Sequence, residues 1–265
     1  MLTAQVNHSR ILITGGSRGI GFELAKDLVE KGAQVWICGT SDSVFEAQRK
    51  LSSDLVKASI LDVGSEKSVA ETFAEIEKSW GSLTGVVHTA AILGQSGNFW
   101  DLDCDQFDRV LKTNVLGTFL IARHYVQHWK KAESKQLSRG KLVLFSGGGA
   151  AYGYPQFLPY GTTKAAAVRM CETISMELQA ANLAIDVNII APGANETDML
   201  KKVRAAGGEV RTTVPFSKPI ALCNWLTSSA SDRVSGRFLH VNDDYLTRDF
   251  NAISNDLFTL RRIDK

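Results

Sequence analysis

With 265 residues, 44% of them hydrophobic, and a net charge of +2 from 30 basic and 28 acidic side chains, the chain is long enough to fill one sizeable core. The interspersed charges exclude the basic footprint of a nucleic-acid-binding surface. No apolar run approaches a membrane span and residues 1–10 hold no apolar signal core, so a cytoplasmic protein without membrane contact is expected.

The first element is an apolar run, a strand expected over 11–14, which leads directly into Gly15-Gly16-Ser17-Arg18-Gly19-Ile20-Gly21. Ile20, Leu24 and Leu28 then recur at helical spacing, predicting a helix over 20–31 that Gly32 ends. A glycine turn between strand and helix lets a pyrophosphate approach the amides of the helix N-terminus. Gly15, Ser17, Arg18, Gly19, Ile20 and Gly21 are therefore candidate dinucleotide contacts. A second strand over 35–38 runs into Gly39-Thr40-Ser41, where an acidic residue would serve the ribose of NAD. Gly39 stands there instead. Arg18, Thr40 and Ser41 can donate to a 2′-phosphate, so NADP is expected over NAD, with Asp42 the carboxylate that would reverse the preference.

Further strands are expected over 55–61, 85–89, 141–146, 185–190 and 238–241, and further helices over 66–80, 104–130, 160–181 and 219–229. Asp62 and Val63 follow the third strand and His88-Thr89-Ala90-Ala91 the fourth, whose histidine is expected to be structural. Such alternation predicts a doubly wound parallel seven-stranded sheet with helices on both faces, a Rossmann fold, as one domain over 1–265. Within 160–181, Tyr160 and Lys164 stand four residues apart on one helix face. An ammonium there can favour the phenolate of a general acid or base. Residues 194–217 are the least regular stretch. Of the four cysteines, Cys38, Cys171 and Cys223 sit in apolar surroundings and are expected reduced and buried; Cys104 completes the set without metal-ligand spacing. His124 and His128 lack a third ligand in sequence, and no metal site is expected.

Taken in order, Thr14-Gly-Gly-Ser-Arg-Gly-Ile-Gly21, Asn114-Val-Leu-Gly117, Ser146, Tyr160-x-x-x-Lys164 and Pro192-Gly193 resemble the motifs of the short-chain dehydrogenase/reductases, over nearly the whole chain. The resemblance implies hydride transfer between a nicotinamide and a secondary alcohol or ketone. Tyr160 would exchange the proton, Lys164 would lower its pKa and hold the ribose, Ser146 would polarise the substrate oxygen, and Asn114 would brace a proton-relaying water. It implies an adenine contact at Asp62 and Val63, close backbone approach at Ala90 and Ala91, and further cofactor contacts at Thr89, Thr113 and Tyr160. Pro192, Gly193 and Thr197 would flank the nicotinamide, and 194–217 would cover the substrate. A homodimer or homotetramer would pack through helix 104–130.

Three departures stand out. His88-Thr89-Ala90-Ala91 replaces the family's Asn-Asn-Ala-Gly, and His240-Val241-Asn242-Asp243-Asp244-Tyr245 replaces its Val-Asp-Gly-Gly ending. The family's serine lies thirteen residues before the tyrosine, where this chain has Gly147, so assigning Ser146 assumes one extra loop residue. The Ser-Gly-Gly-Gly loop and longer tail are similar to reductases of surface-polysaccharide biosynthesis, which implies a sugar-derived substrate. The alternative reading is a dinucleotide-binding regulatory protein of the same fold with weak or no catalysis.

Overall fold

The computed structural model describes residues 9–131, 139–210, 213–250, 252–254 and 256–261. Seven strands, β1 (Arg10–Thr14), β2 (Gln34–Gly39), β3 (Val56–Ile60), β4 (Gly85–His88), β5 (Gly140–Phe145), β6 (Ile185–Ala191) and β7 (Phe238–His240), form one sheet in the order β3-β2-β1-β4-β5-β6-β7. Every pairing is parallel. Parallel strands need crossover helices, and these cover both faces of the sheet.

The period of two sorts each strand between two cores. Leu12, Trp36, Val86 and Leu142 belong to one, packed with Phe73, Ile121 and Val168 of α3 (Glu66–Trp80), α5 (Gly117–Lys131) and α6 (Leu158–Ala180). Their neighbours Ile11, Ile13, Val35, Ile37 and Val87 belong to the other, packed with Leu24, Leu28, Val44 and Leu222 of α1 (Gly19–Glu30), α2 (Ser43–Leu51) and α8 (Ser217–Leu226). The runs read as continuously apolar because both faces are buried. From β1 the chain winds outward through β2 and β3, and it returns on the other side at β4. That reversal opens a crevice at the carboxyl ends of the strands.

Three stretches differ from the sequence expectation, the first being α2, which is not among the expected helices. The single helix expected over 104–130 is α4 (Cys104–Leu111) and α5, separated by a π-turn over Lys112–Leu116. Asn114, buried in that turn, spends its side chain on neighbouring elements. The stretch 194–217, expected to be irregular, contains α7 (Asp198–Ala205), capped by the Thr197 hydroxyl accepting from Leu200 N at 3.3 Å. Its base is closed by the pairing of Ala194 with Thr213. Residues 211 and 212 and the tail beyond Arg261 lie outside the described residues. The described tail returns to α6, where buried Glu172 accepts from Leu260 N and pairs with Arg261. No helix among the described residues is long and apolar enough to cross a membrane.

Candidate active site

The carboxyl ends of the strands border a cleft of about 1410 Å³. Its floor is the glycine turn. Gly15 has φ +70, and a Cβ there would meet Thr89 Oγ1 at 2.8 Å and Ala90 N at 2.9 Å. The turn and the segment after β4 are therefore in direct contact, and only glycine fits. Thr14 ties them further. Its hydroxyl shares a 2.7 Å hydrogen bond with His88 Nδ1 and accepts from Ala90 N, while Thr89 Oγ1 donates to Thr14 O. Burial holds the His88 imidazole down at about 3, with the Lys164 charge contributing, so the ring is neutral and braces β1 against β4. On the opposite wall, a Cβ at Gly19 would come within 3.3 Å of Thr197 Cγ2, so α1 and α7 approach each other across the cleft.

Gly15, Ser17, Arg18, Gly19, Ile20, Gly21, Thr40, Asp62, Val63, Thr89, Ala90, Ala91, Thr113, Pro192, Gly193 and Thr197 all border this cleft. Ser41 is not among the residues that border it; its hydroxyl lies 2.9 Å from that of Ser43. Asp62 accepts from Gly64 N at 2.9 Å, fixing the turn after β3, and Val63 is buried in the core. Gly39 ends β2 with its Cβ direction aimed at Ser17 Oγ, 3.2 Å away, so a side chain there would make Ser17 give by a few tenths of an ångström. Arg18 is exposed and extends to Asp198 of α7 at 3.7 Å. Pro192 and Gly193 are held by Asn195, whose Nδ2 donates to both of their carbonyls. Sequence reasoning passed over Asn195, although its place three residues after the proline at a strand end marks a turn-bracing amide.

Of the four catalytic candidates, Ser146, Tyr160 and Lys164 border this cleft. Tyr160 and Lys164 lie on the first turns of α6, with Lys164 Nζ 5.3 Å from the Tyr160 ring centre. Lys164 is 5% exposed and donates to Phe145 O at the end of β5 at 2.9 Å. Burial pushes its ammonium down to about 8 and pushes the Tyr160 phenol well up, with Tyr154 adding to the latter. The expected depression of Tyr160 by Lys164 does not enter: burial, then Tyr154, both push the phenol up. The phenol is therefore protonated at neutral pH, a proton donor. Asn114 does not border the cleft. It accepts from Ile92 N and donates to Ile92 O and to Thr163 Oγ1 of α6, binding the π-turn to the segment after β4 and to α6. A π-turn at such a joint is a frequent mark of function.

Ser146 is buried and its hydroxyl donates to Lys164 O at 3.1 Å. The position whose side-chain direction faces the phenol is the next one. A Cβ on Gly147 would stand 3.5 Å from the Tyr160 hydroxyl. The thirteen-residue spacing to Tyr160 was the available signal for that position.

The remaining histidines and cysteines stand outside this cluster. His128 accepts from Leu83 N and His124 pairs with Glu66, and no group of three metal-ligating side chains occurs among the described residues. Cys38, Cys171 and Cys223 are buried, while Cys104 is exposed.

The family model for the short chain dehydrogenases matches residues 9–207. Trihydroxynaphthalene reductase from Colletotrichum orbiculare is 30% identical over 200 residues, which span 72% of this chain and 66% of that protein. L-fucose dehydrogenase from Bos taurus is 28% identical over 205 residues, 77% of this chain and 72% of that one. A short-chain type dehydrogenase/reductase from Mycobacterium ulcerans shares the fold with a TM-score of 0.78 at 26% identity, covering 89% of this chain and 88% of its own. On the matched family, the parallel sheet and the cleft at its switch point, the chain belongs to the short chain dehydrogenases and is an NAD(P)-dependent oxidoreductase acting on the CH–OH/C=O couple.

Proposed function

We propose that the protein interconverts a ketone and a secondary alcohol with NADP in preference to NAD, using Tyr160 as the proton-exchanging group. The observation that carries this is the convergence of Tyr160 and Lys164 on the cleft that the glycine turn also borders. The dinucleotide, when bound, supplies or accepts the hydride. Gly15, Ser17, Gly19, Ile20 and Gly21 offer a pyrophosphate a backbone cradle without intervening Cβ atoms at the glycines. Thr113, Val63 and Asp62 would border the adenine, and Pro192, Gly193 and Thr197 the nicotinamide side. Thr89, Ala90 and Ala91 keep the middle of the cleft low.

In the reducing direction the carbonyl carbon gains a hydride, the C=O π pair moves to oxygen, and that oxygen takes the Tyr160 proton. Lys164 then faces a developing phenolate, which its charge stabilises. Asn114 holds the start of α6 so that both side chains keep their aim. A sugar-derived substrate fits the exposed, polar mouth of the cleft, with Gln95, Lys202 and Glu209 on its rim. The preference for NADP rests on Gly39, which leaves no ribose-binding acid at the end of β2, and on Arg18, whose exposed fork can leave Asp198 for a 2′-phosphate.

One observation favours the alternative of a weakly catalytic dinucleotide-binding regulator: the glycine opposite the Tyr160 hydroxyl. Affinity for NADPH and NADH, measured by fluorescence titration on wild type and Arg18→Ala, tests the cofactor reading. NADPH should bind at least tenfold tighter than NADH, and the variant should lose most of that difference, as expected for a desolvated charge-assisted contact worth about 1.5–3 kcal/mol. Tighter NADH binding that Arg18→Ala leaves untouched would point to Asp42 and overturn it.

A further inference from the structure

Near the reacting end of the cleft Ser146 and Asn114 have their donors spent on the protein, and Lys164 gives one of its three to it. Ser146 Oγ donates to Lys164 O, Lys164 Nζ donates to Phe145 O, and the Asn114 amide is divided between Ile92 and Thr163. A carbonyl oxygen receiving a proton from Tyr160 gains speed when a second donor shares the developing charge. The backbone sets where that donor would stand. It is position 147, from which a Cβ would lie 3.5 Å from the Tyr160 hydroxyl and 3.7 Å from Cε1. The residue there is glycine, and the place a side chain would fill borders the cleft.

We propose that position 147 is the second donor's seat, that its glycine leaves the seat to the substrate, and that the substrate is a hydroxyketone whose own hydroxyl sits beside its carbonyl over Gly147. This rests on the oxidoreductase reading above and narrows its substrate class. An adjacent hydroxyl donates to the carbonyl oxygen from within the same molecule, so no ordering of a second protein group is needed. In the reduction the carbonyl carbon takes the hydride, the oxygen takes the Tyr160 proton, and the neighbouring hydroxyl keeps its own. The product is a vicinal diol. A plain ketone of the same skeleton lacks the second donor and leaves the seat empty. Ser146 is then a positioning residue, anchoring the second turn of α6 through the Lys164 carbonyl.

The test compares cyclohexanone with its α-hydroxy derivative as substrates for wild type, Gly147→Ala, Gly147→Ser and the double variant S146A/G147S, with NADPH affinity measured alongside. Wild type should prefer the hydroxyketone by at least about tenfold in kcat/KM, below the 10²–10³ of a full oxyanion donor because the intramolecular bond is bent. Gly147→Ser should raise turnover of the plain ketone and erase the preference, and Gly147→Ala should lower hydroxyketone turnover without helping the plain ketone. The double variant should behave as Gly147→Ser does, with a lower melting temperature. The hydroxyketone should also raise the melting temperature of the NADPH-loaded wild type more than the plain ketone does, a readout independent of turnover. The inference is overturned if wild type turns over both ketones equally, or if Gly147→Ser gains nothing while the double variant loses 10²-fold or more at unchanged NADPH affinity. Silence from every variant with both ketones, NADPH still binding, would overturn the oxidoreductase reading and this inference with it.

Discussion

At the residue scale the buried polar groups divide into those that hold the site and those that act in it. His88 holds. Its ring links to Thr14 across β1 and β4, its Nε2 has no partner among the described residues, and burial keeps it neutral, its pKa down at about 3 against an ordinary 6.5. The sign of the consequence follows from linkage. Below the ordinary value the unfolded chain takes up a proton that the folded chain refuses until about pH 3, so this contribution to stability is complete above pH 6.5 and is lost as pH falls through that window. Denaturant unfolding of wild type and His88→Asn at pH 6.5 and at roughly pH 5 should show wild type losing about 2 kcal/mol more than the variant. Parallel losses would mean that the imidazole is protonated in the folded protein. None of this was legible in sequence beyond the expectation that His88 is structural, because the Thr14–His88 pair depends on the register between two strands far apart in the chain. Gly147 was legible in principle. The spacing to Tyr160 pointed to it, but a serine one residue earlier drew the assignment, and only the backbone direction separates the two.

At the element scale the site depends on a helix that does not stay regular. The apolar period over 104–130 predicted one helix, and the π-turn at Lys112–Leu116 leaves almost no mark on that period, since a single widened turn shifts the register only slightly. Its effect is to bring Asn114 into a position where one amide joins the turn, the Ile92 backbone and Thr163 of α6. Three hydrogen bonds on one buried side chain make it costly to remove. Asn114→Ala should lower stability by about 2–4 kcal/mol and reduce kcat more than it raises KM for the dinucleotide, because α6 loses its anchor beside Tyr160. Chemical denaturation together with steady-state kinetics reads both effects. An unchanged kcat in a folded, destabilised variant would confine Asn114 to a structural role. The segment 194–217 shows the opposite limit of sequence reading. Glycines and mixed charge conceal α7, whose buried face is only Leu200 and Val203, too few positions to register as a period.

At the scale of the whole molecule, the two ends of the sheet serve different purposes. The amino-terminal end is locked by Asp186, which is 1% exposed and meets both Arg139 and Lys141, the latter also pairing with Asp232. The carboxyl end is left open as a cleft, where glycine, alanine and short polar residues meet larger side chains such as Leu93, Phe145 and Tyr154. The parallel alternation that made the fold readable also placed the cleft, because a doubly wound sheet reverses direction at one place only and the glycine turn lies at that place. The substrate was not readable, since the mouth of the cleft is assembled from α4, α7 and the loop after β5, whose relative placement no local pattern encodes. The central claim is that Tyr160 exchanges a proton in a cleft that binds the dinucleotide independently of it. Tyr160→Phe tests this most directly, with NADPH affinity and ketone-dependent NADPH oxidation measured on the same preparation. The account predicts a dissociation constant within about twofold of wild type and turnover lower by roughly 10²–10⁴; turnover that survives the substitution at unchanged affinity would contradict it.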